Sequence, residues 1–522
     1  MLPACALQQA AHGQGPGACA AQTHSETFML NRRNVLAGSA ASLSLWTAFP
    51  ALAQTRKDSL TLAMTLEPPG LDPTAGAASS IGEIVLYNLF ETLTKINADG
   101  SVSPLLAESW DVSSDLKSYT FRLRKGVSFH NGEPFNAQSV KFSLERAGDA
   151  KSTNKDKASF AALSTKVVDE HTVIVSNQDA DPDMLFSLGQ ATAIMVEPKS
   201  AAGNNTRPVG TGPYKLAAWS RGSSVTLAAW PGYRASMRIR RAVFRFIPDP
   251  AAQVAALLAG DVDVFARVTP RSVAQLKNNP RFQVVVSGSR AKTILAMNNA
   301  RKPLNDVRVR RAIAAAIDRK ALIEGAADGY GQPIGSYYAP TAFGYVDTTG
   351  INPYDLDKAK ALMAEAGVNT PLALTMTLPP TPYARQGGEV IAAMLAKIGI
   401  RVQLQNVEWA QWLSGTYTNR NYDLTMISHV EPLDLGNFSK PGYYWGYQSA
   451  QFDALYDRIK HSARPADRSR LLGEAQRMLA QESVHAFLFA PQWVTVAHKS
   501  LRGLWKDMPI FVNDLSALHW AA

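Results

Sequence analysis

Two carboxylates and an imidazole stand close together in the run Tyr422-Asp423-Leu424-Thr425-Met426-Ile427-Ser428-His429-Val430-Glu431-Pro432-Leu433-Asp434. Glu431 and Asp434 suit the capture of a cation, because a charge withdrawn from water needs an opposite charge and hydrogen bonds. His429 can bond a ligand, sense pH, or stand as a satisfied wall residue. Arg385 carries a guanidinium that grips a carboxylate with two bonds, or lies on the surface at a helix N-terminus. Tyr443-Tyr444-Trp445-Gly446-Tyr447 is dense in rings, which either close over a ligand or pack a core; Trp445 is the leading candidate among them. Trp409 and Trp412 invite the same two readings. All of this is recognition chemistry. For catalysis the sequence offers no Gly-x-Ser-x-Gly elbow, no His-Glu-x-x-His and no dinucleotide glycine fingerprint. Gly210-Thr211-Gly212-Pro213-Tyr214 lacks the Lys-Ser/Thr ending of a phosphate loop and reads as a structural turn. The nine histidines form no metal-ligand spacing, and no cofactor is called for.

The elements that must position these residues alternate between strand and helix with frequent Gly/Pro breaks, which argues for a mixed α/β fold. Asp423 to Met426 reads as a strand, with the carboxylates in the loop that leaves it. Tyr119, Phe121 and Leu123 alternate along Ser118 to Arg124, as in a half-buried strand. Val167-Val168 and Thr172 to Val175 read as a hairpin, and Ser224 to Leu227 and Ala242 to Phe246 as further strands. Asp261 to Val264 reads as a short strand, and Arg401 to Leu404 as another. Asn136 is a helix cap before Val140, Phe142 and Leu144. Helices are expected over Asp249 to Leu258, Asp357 to Ala366 and Glu389 to Ile398, the last two closed by Gly367 and Gly399.

The N-terminal end carries an export signal. Asn31-Arg32-Arg33-Asn34-Val35-Leu36 precedes a charge-free, modestly apolar run from Ala37 to Phe49, and Ala51-Leu52-Ala53 supplies small residues for cleavage. This is the pattern of a twin-arginine signal, with the mature chain starting near Gln54; the start codon is Met1 or Met29. The apolar run is too short for a normal membrane span. The only cysteines, Cys5 and Cys19, precede the signal, which suits an oxidising compartment. A net charge of +10 is spread widely, with clusters at Arg238 to Arg241 and Arg308 to Arg311. Without interleaved aromatics or a nucleic-acid motif, these clusters read as solvated helix faces or strand edges, and no nucleic-acid partner is expected.

Five segments together identify a family. Pro104 to Arg146, PLLAESWDVSSDLKSYTFRLRKGVSFHNGEPFNAQSVKFSLER, resembles the signature of family 5 extracellular solute-binding proteins, the peptide- and nickel-binding components of ABC importers. Pro208 to Tyr214, Asp306 to Glu324, Tyr354 to Gly367 and Phe452 to Leu455 fit further family patterns in the family's order. The resemblance implies a two-lobed periplasmic-binding-protein fold of class II type with an additional inserted subdomain. It divides the chain into lobe I (58–100, 207–292 and 496–522), the inserted subdomain (101–206) and lobe II (293–495), after residues 1–53 of extension and signal. The chain is expected to cross between lobes near Ile294 to Asn298 and near Val494, where hinges allow closure on a ligand.

The resemblance also implies site roles. In peptide-binding relatives an acidic residue of the 429–434 loop pairs with the ligand's α-ammonium; counting back from Asn437-Phe438 gives Glu431, with Asp434 as the alternative. His429 falls where many relatives carry a pocket tryptophan. Thr381 falls where dipeptide binders place an arginine for the ligand carboxylate, which turns the expectation from free dipeptides toward longer, γ-linked or modified peptides and non-peptide amines; Arg385 is the substitute. The implied function is a soluble, monomeric periplasmic receptor that binds a peptide or peptide-like solute between its lobes and delivers it to the permease subunits of an ABC importer. The alternatives are a receptor for a nickel chelate, haem or an opine-like amine and, more remotely, an exported hydrolase.

Overall fold

A long strand, His485–His498, is shared by the two lobes of the molecule. The computed structural model describes residues 57–76 and 78–521, so Arg32, Arg33 and Ala53 of the expected signal lie outside the described residues. The first part of the long strand pairs with Lys292–Met297, which continues through Leu424–His429 and Leu372–Leu378 to Ile400–Asn406. Its second part pairs with Phe282–Gly288 and with Val264–Phe265. From there the sheet runs through Ser59–Met64, Arg241–Phe246 and Ser224–Ala229 to Tyr214–Ser220. The chain therefore passes between the lobes at residues 289–291 and 490–492.

Both crossings fall a few residues before the expected ones. Ile294 to Met297 lie inside the second lobe's sheet, where period-two alternation assigns them to opposite faces. Leu295 and Met297 join a core made with the helices Val307–Ala315, Arg319–Ala327 and Pro382–Ala396. Ile294 and Ala296 join a second core, an aromatic layer that contains Trp412, Tyr422, Phe438, Tyr444 and Trp445. Each large apolar side chain buried in this way contributes about 1.5–3 kcal/mol. The shorter, more polar run Ser289-Arg290-Ala291 makes the crossing instead.

The inserted region forms a separate four-stranded sheet in the order Ala107–Val112, Ser118–Leu123, Thr172–Asn177, Leu163–Asp169. Tyr119, Phe121, Val173 and Val175 face the helix Ala137–Gly148 across a common core. Asn136 caps that helix: its Oδ1 accepts from the backbone N–H of Gln138 and Ser139, and Ser139 Oγ accepts from the N–H of Asn136. His130 ties the first family segment to the second. The N–H of Gly210 donates to its Nδ1 at 3.3 Å, and its Nε2 faces the carbonyl of Gly212 at 3.0 Å. That pairing requires the neutral Nε2–H tautomer, and burial pushes the imidazole down to about 4. The turn itself tolerates only glycine at 210 and 212, where a Cβ would collide with the carbonyl oxygens of Leu89 and Asn88.

Several local expectations shift. The helix expected from Glu389 starts at Pro382, which needs no N–H partner in the first turn. Gly387 and Gly388 do not break it; they let Met426 and Leu378 approach where a Cβ would collide. The strand expected over Asp261 to Val264 is only Val264–Phe265, because Asp263 turns its carboxylate to the N–H of Thr61 and to Lys57. The arginines at 308 to 311 are not a simple solvated face. Arg310 is buried and donates to the carbonyls of Leu304, Asn305, Glu482 and Ser483.

Candidate functional site

The strand Leu424–His429 sets up the site by its alternation. Leu424 and Met426 pack on the helices, while Thr425 accepts a hydrogen bond from the Trp412 indole and Ile427 packs in the aromatic layer. His429 follows Thr425 and Ile427 onto the aromatic side. Ser428 and Val430 point the other way and line a cavity of about 1030 Å³ between the lobes. Arg267, Thr269 and Gln275 contribute to this cavity from the first lobe, and Tyr330, Tyr383 and Trp409 from the second. Val430 and Trp493 also line an adjoining cavity of about 200 Å³, whose other walls include Ser79, Gln190, Arg290, Glu431 and Phe511. A third chamber of about 130 Å³ lies beside it, between Asp181 and Asp183 of the inserted region and Tyr337, Tyr338 and Arg468 of the second lobe.

The two carboxylates of the loop have different environments. Asp434 is 8 % exposed; its Oδ1 lies 2.6 Å from Lys292 Nζ and its Oδ2 accepts from the Tyr337 hydroxyl at 2.7 Å. Its charge is already matched by a buried ammonium. Lys292 also donates to the backbone carbonyl of Glu431 at 2.6 Å, which fixes the loop. The Glu431 side chain is 58 % exposed, and its one ion-pair approach among the described residues is to His429 Nδ1 at 4.0 Å. Glu431 is thus the carboxylate left facing the cleft.

His429 is turned away from both cleft cavities. Its Nε2 meets the Tyr444 hydroxyl at 2.9 Å, and its ring lies among Tyr337, Tyr444 and Trp445. Burial lowers its pKa, and the ring contributes to the lining of neither cavity, which is the placement of a wall residue. His429, Glu431 and Asp434 do bring potential metal-ligating atoms within 4.8 Å of one another. However, the Lys292 ammonium already sits against Asp434, and a metal cation there would face like charge.

Trp445 is corrected from cleft wall to core. It is fully buried, with its ring 4.6 Å from Phe438 and 4.3 Å from Tyr443. The aromatic run packs against itself because the sheet face beneath it is apolar. Of the two readings of Arg385, the geometry matches the surface one: it is exposed in the first turn of its helix and lies 3.5 Å from Glu408, outside the lining of the cavities. Thr381 does line the larger cavity, at the N-terminus of the helix Pro382–Ala396. Trp409 lines the same cavity while Trp412 is buried.

Two basic residues escaped the sequence reading. Lys292 opens a largely apolar strand, KTILAM, and a lone lysine in such a setting signals a buried ion pair. Arg290, two residues earlier, is 7 % exposed and lines both the smaller cleft cavity and the charged chamber.

Residues 101–450 match the family model described as bacterial extracellular solute-binding proteins, family 5 Middle. Heme-binding protein A of Haemophilus influenzae is 28% identical over 459 residues, 79% of this chain and 81% of its own. Di/tripeptide-binding protein 2 of Pseudomonas aeruginosa is 28% identical over 519 residues, 90% of this chain and 96% of its own. Among solved structures, the periplasmic binding protein DppA of Helicobacter pylori, in complex with the peptide STSA, shares the fold. It has a TM-score of 0.74 at 24% identity and covers 89% of this chain and 98% of its own. On the extent of the family match and the two-lobed architecture, this chain belongs to the family 5 bacterial extracellular solute-binding proteins.

Proposed function

We propose that this protein is the solute receptor of an ABC importer, taking a peptide or peptide-like amine into the cleft between its lobes and presenting it to membrane permease subunits. The observation that carries the reading is the division of labour between two carboxylates: Asp434 is neutralised by Lys292 and hydrogen-bonded by Tyr337, and Glu431 faces the cleft. An ammonium group brought to Glu431 and covered by closure exchanges water for a charge-assisted hydrogen bond. The larger cavity supplies room and aromatic surface for the rest of the ligand. Peptide-binding names among the relatives support the same reading. It includes action as a monomer in the periplasm after export by the twin-arginine route, with lobe boundaries at residues 289–291 and 490–492. No helix among the described residues is long and apolar enough to cross a membrane.

The test is native mass spectrometry of protein purified from Gln54 onward, with gentle release of bound solute. A co-purified peptide or peptide-like amine is the expected result; a solute without a basic nitrogen overturns the reading. A second reading, haem capture, draws support from the apolar walls of the larger cavity and from the heme-binding relative. Haem would reveal itself by a visible absorbance band in the same preparation.

A further inference from the structure

Arg290 stands in the segment that crosses between the lobes, and its guanidinium has no carboxylate partner among the described residues. Its Nη2 reaches the carbonyl of Gly100 at 3.4 Å, its guanidinium carbon lies 4.5 Å from the Phe186 ring centre, and its buried Nε has no acceptor. Apart from Glu431, which lines the same cavity and forms no ion pair with it, the acids around it are committed elsewhere. Asp183 is paired with Arg468, Asp434 with Lys292, and Glu83 with Arg267. Asp181 is pushed up to about 6 by burial and by the neighbouring Asp183 charge, which weakens its hold as a counter-ion. Burial without a counter-charge is costly for a cation, and it lowers the pKa of Arg290 from the ordinary value. A structural arginine in this protein looks different: buried Arg310 donates to four backbone carbonyls.

Arg290 lines the same cavity of about 200 Å³ as Glu431. Glu431 and Arg290 therefore both stand in the walls of one small compartment adjoining the larger cavity, the guanidinium resting on Phe186 and the Gly100 carbonyl. The geometry points to Arg290 as an anion anchor for a ligand that carries its ammonium and a carboxylate at the same end, the ammonium on Glu431 and the body extending past Val430 and Trp493 into the larger cavity. This rests on the receptor reading above and sharpens it. The preferred solute class has an amino-acid-like head, as in a γ-linked peptide, rather than the lone terminal amine of an ordinary α-linked peptide. A guanidinium suits the task because it meets a carboxylate with two parallel bonds.

The test uses two probes that differ by one carboxylate on the amine-bearing carbon, γ-glutamyl-leucine and 4-aminobutyryl-leucine, with tetra-alanine in the same series. Each is titrated calorimetrically into the mature wild type, Arg290→Gln and Arg290→Lys. The wild type is expected to bind γ-glutamyl-leucine at least about 30-fold more tightly than 4-aminobutyryl-leucine. Arg290→Gln should remove most of that preference, and Arg290→Lys should keep part of it. Equal binding of the two probes by the wild type overturns the inference, and that comparison needs no variant to fold. A preference that survives in folded Arg290→Gln overturns it as well. If the wild type binds neither probe, the inference fails; tetra-alanine then reports separately, its binding upholding the receptor reading and its failure to bind counting against that reading too.

Discussion

Lys292 and Asp434, 142 residues apart in sequence, meet at 2.6 Å beneath the loop that carries Glu431. The pair neutralises one of the two acids that the sequence left as alternatives, and the same ammonium holds the Glu431 carbonyl. Both side chains are almost fully buried. The pair therefore acts as a fixed support, and Glu431 is the acid of the two left without a buried counter-charge, as the proposed ligand contact requires.

Breaking one half of this pair should be costly. Asp434→Asn leaves the Lys292 ammonium buried without a matching charge and is expected to lower stability by about 3–5 kcal/mol. Replacing both, as Lys292→Met with Asp434→Leu, should cost much less, since no lone charge remains. Urea unfolding of the two variants beside the wild type checks this; equal losses in the single and double variants would contradict the support role.

Glu431→Gln should separate affinity from stability. The side chain is largely exposed, so the unfolding midpoint should stay close to the wild type. Affinity for an amine-bearing peptide should fall by roughly 2–4 kcal/mol, because the ligand's charge is then covered without a partner. Calorimetric titration with a bound peptide recovered from the purified protein measures it; unchanged affinity would move the anchor elsewhere in the cleft.

His130 should make the fold sensitive to mild acid. Its folded pKa, about 4, lies below the ordinary value of 6.5. As pH falls below 6.5 the unfolded chain takes up a proton that the folded chain refuses, so its contribution is present above 6.5 and lost on acidification toward 4. Between pH 7 and 5 this amounts to about 1–2 kcal/mol. His130→Gln should be less stable at pH 7, having lost the Gly210–Gly212 linkage, yet should lack that increment of acid sensitivity. Denaturation curves at the two pH values would show whether the increment disappears.

Export should depend on the arginine pair. Replacing Arg32 and Arg33 together with Lys is expected to leave precursor in the cytoplasm. Cell fractionation with detection of the processed chain decides the matter, and undiminished export would remove the twin-arginine assignment.

The sequence by itself determined the fold class, because apolar period, turn glycines and caps are local signals. Asn136 announced a capped helix, Tyr119 to Leu123 announced a half-buried strand, and Gly210 to Tyr214 announced a turn. It also drew attention to the 429–434 loop, since acids after an apolar strand are unusual enough to notice. What it could not determine was which of those acids is free. That depends on Lys292, whose approach to Asp434 is created only when Lys292–Met297 pairs with Leu424–His429. Trp445 failed for a related reason: an aromatic run suits a pocket and a core equally well, and only the apolar sheet face beneath it selects the core. Arg290 is the plainest case. In sequence it is one arginine among many, and its lack of a counter-charge emerges only once tertiary packing has matched the neighbouring acids with other partners.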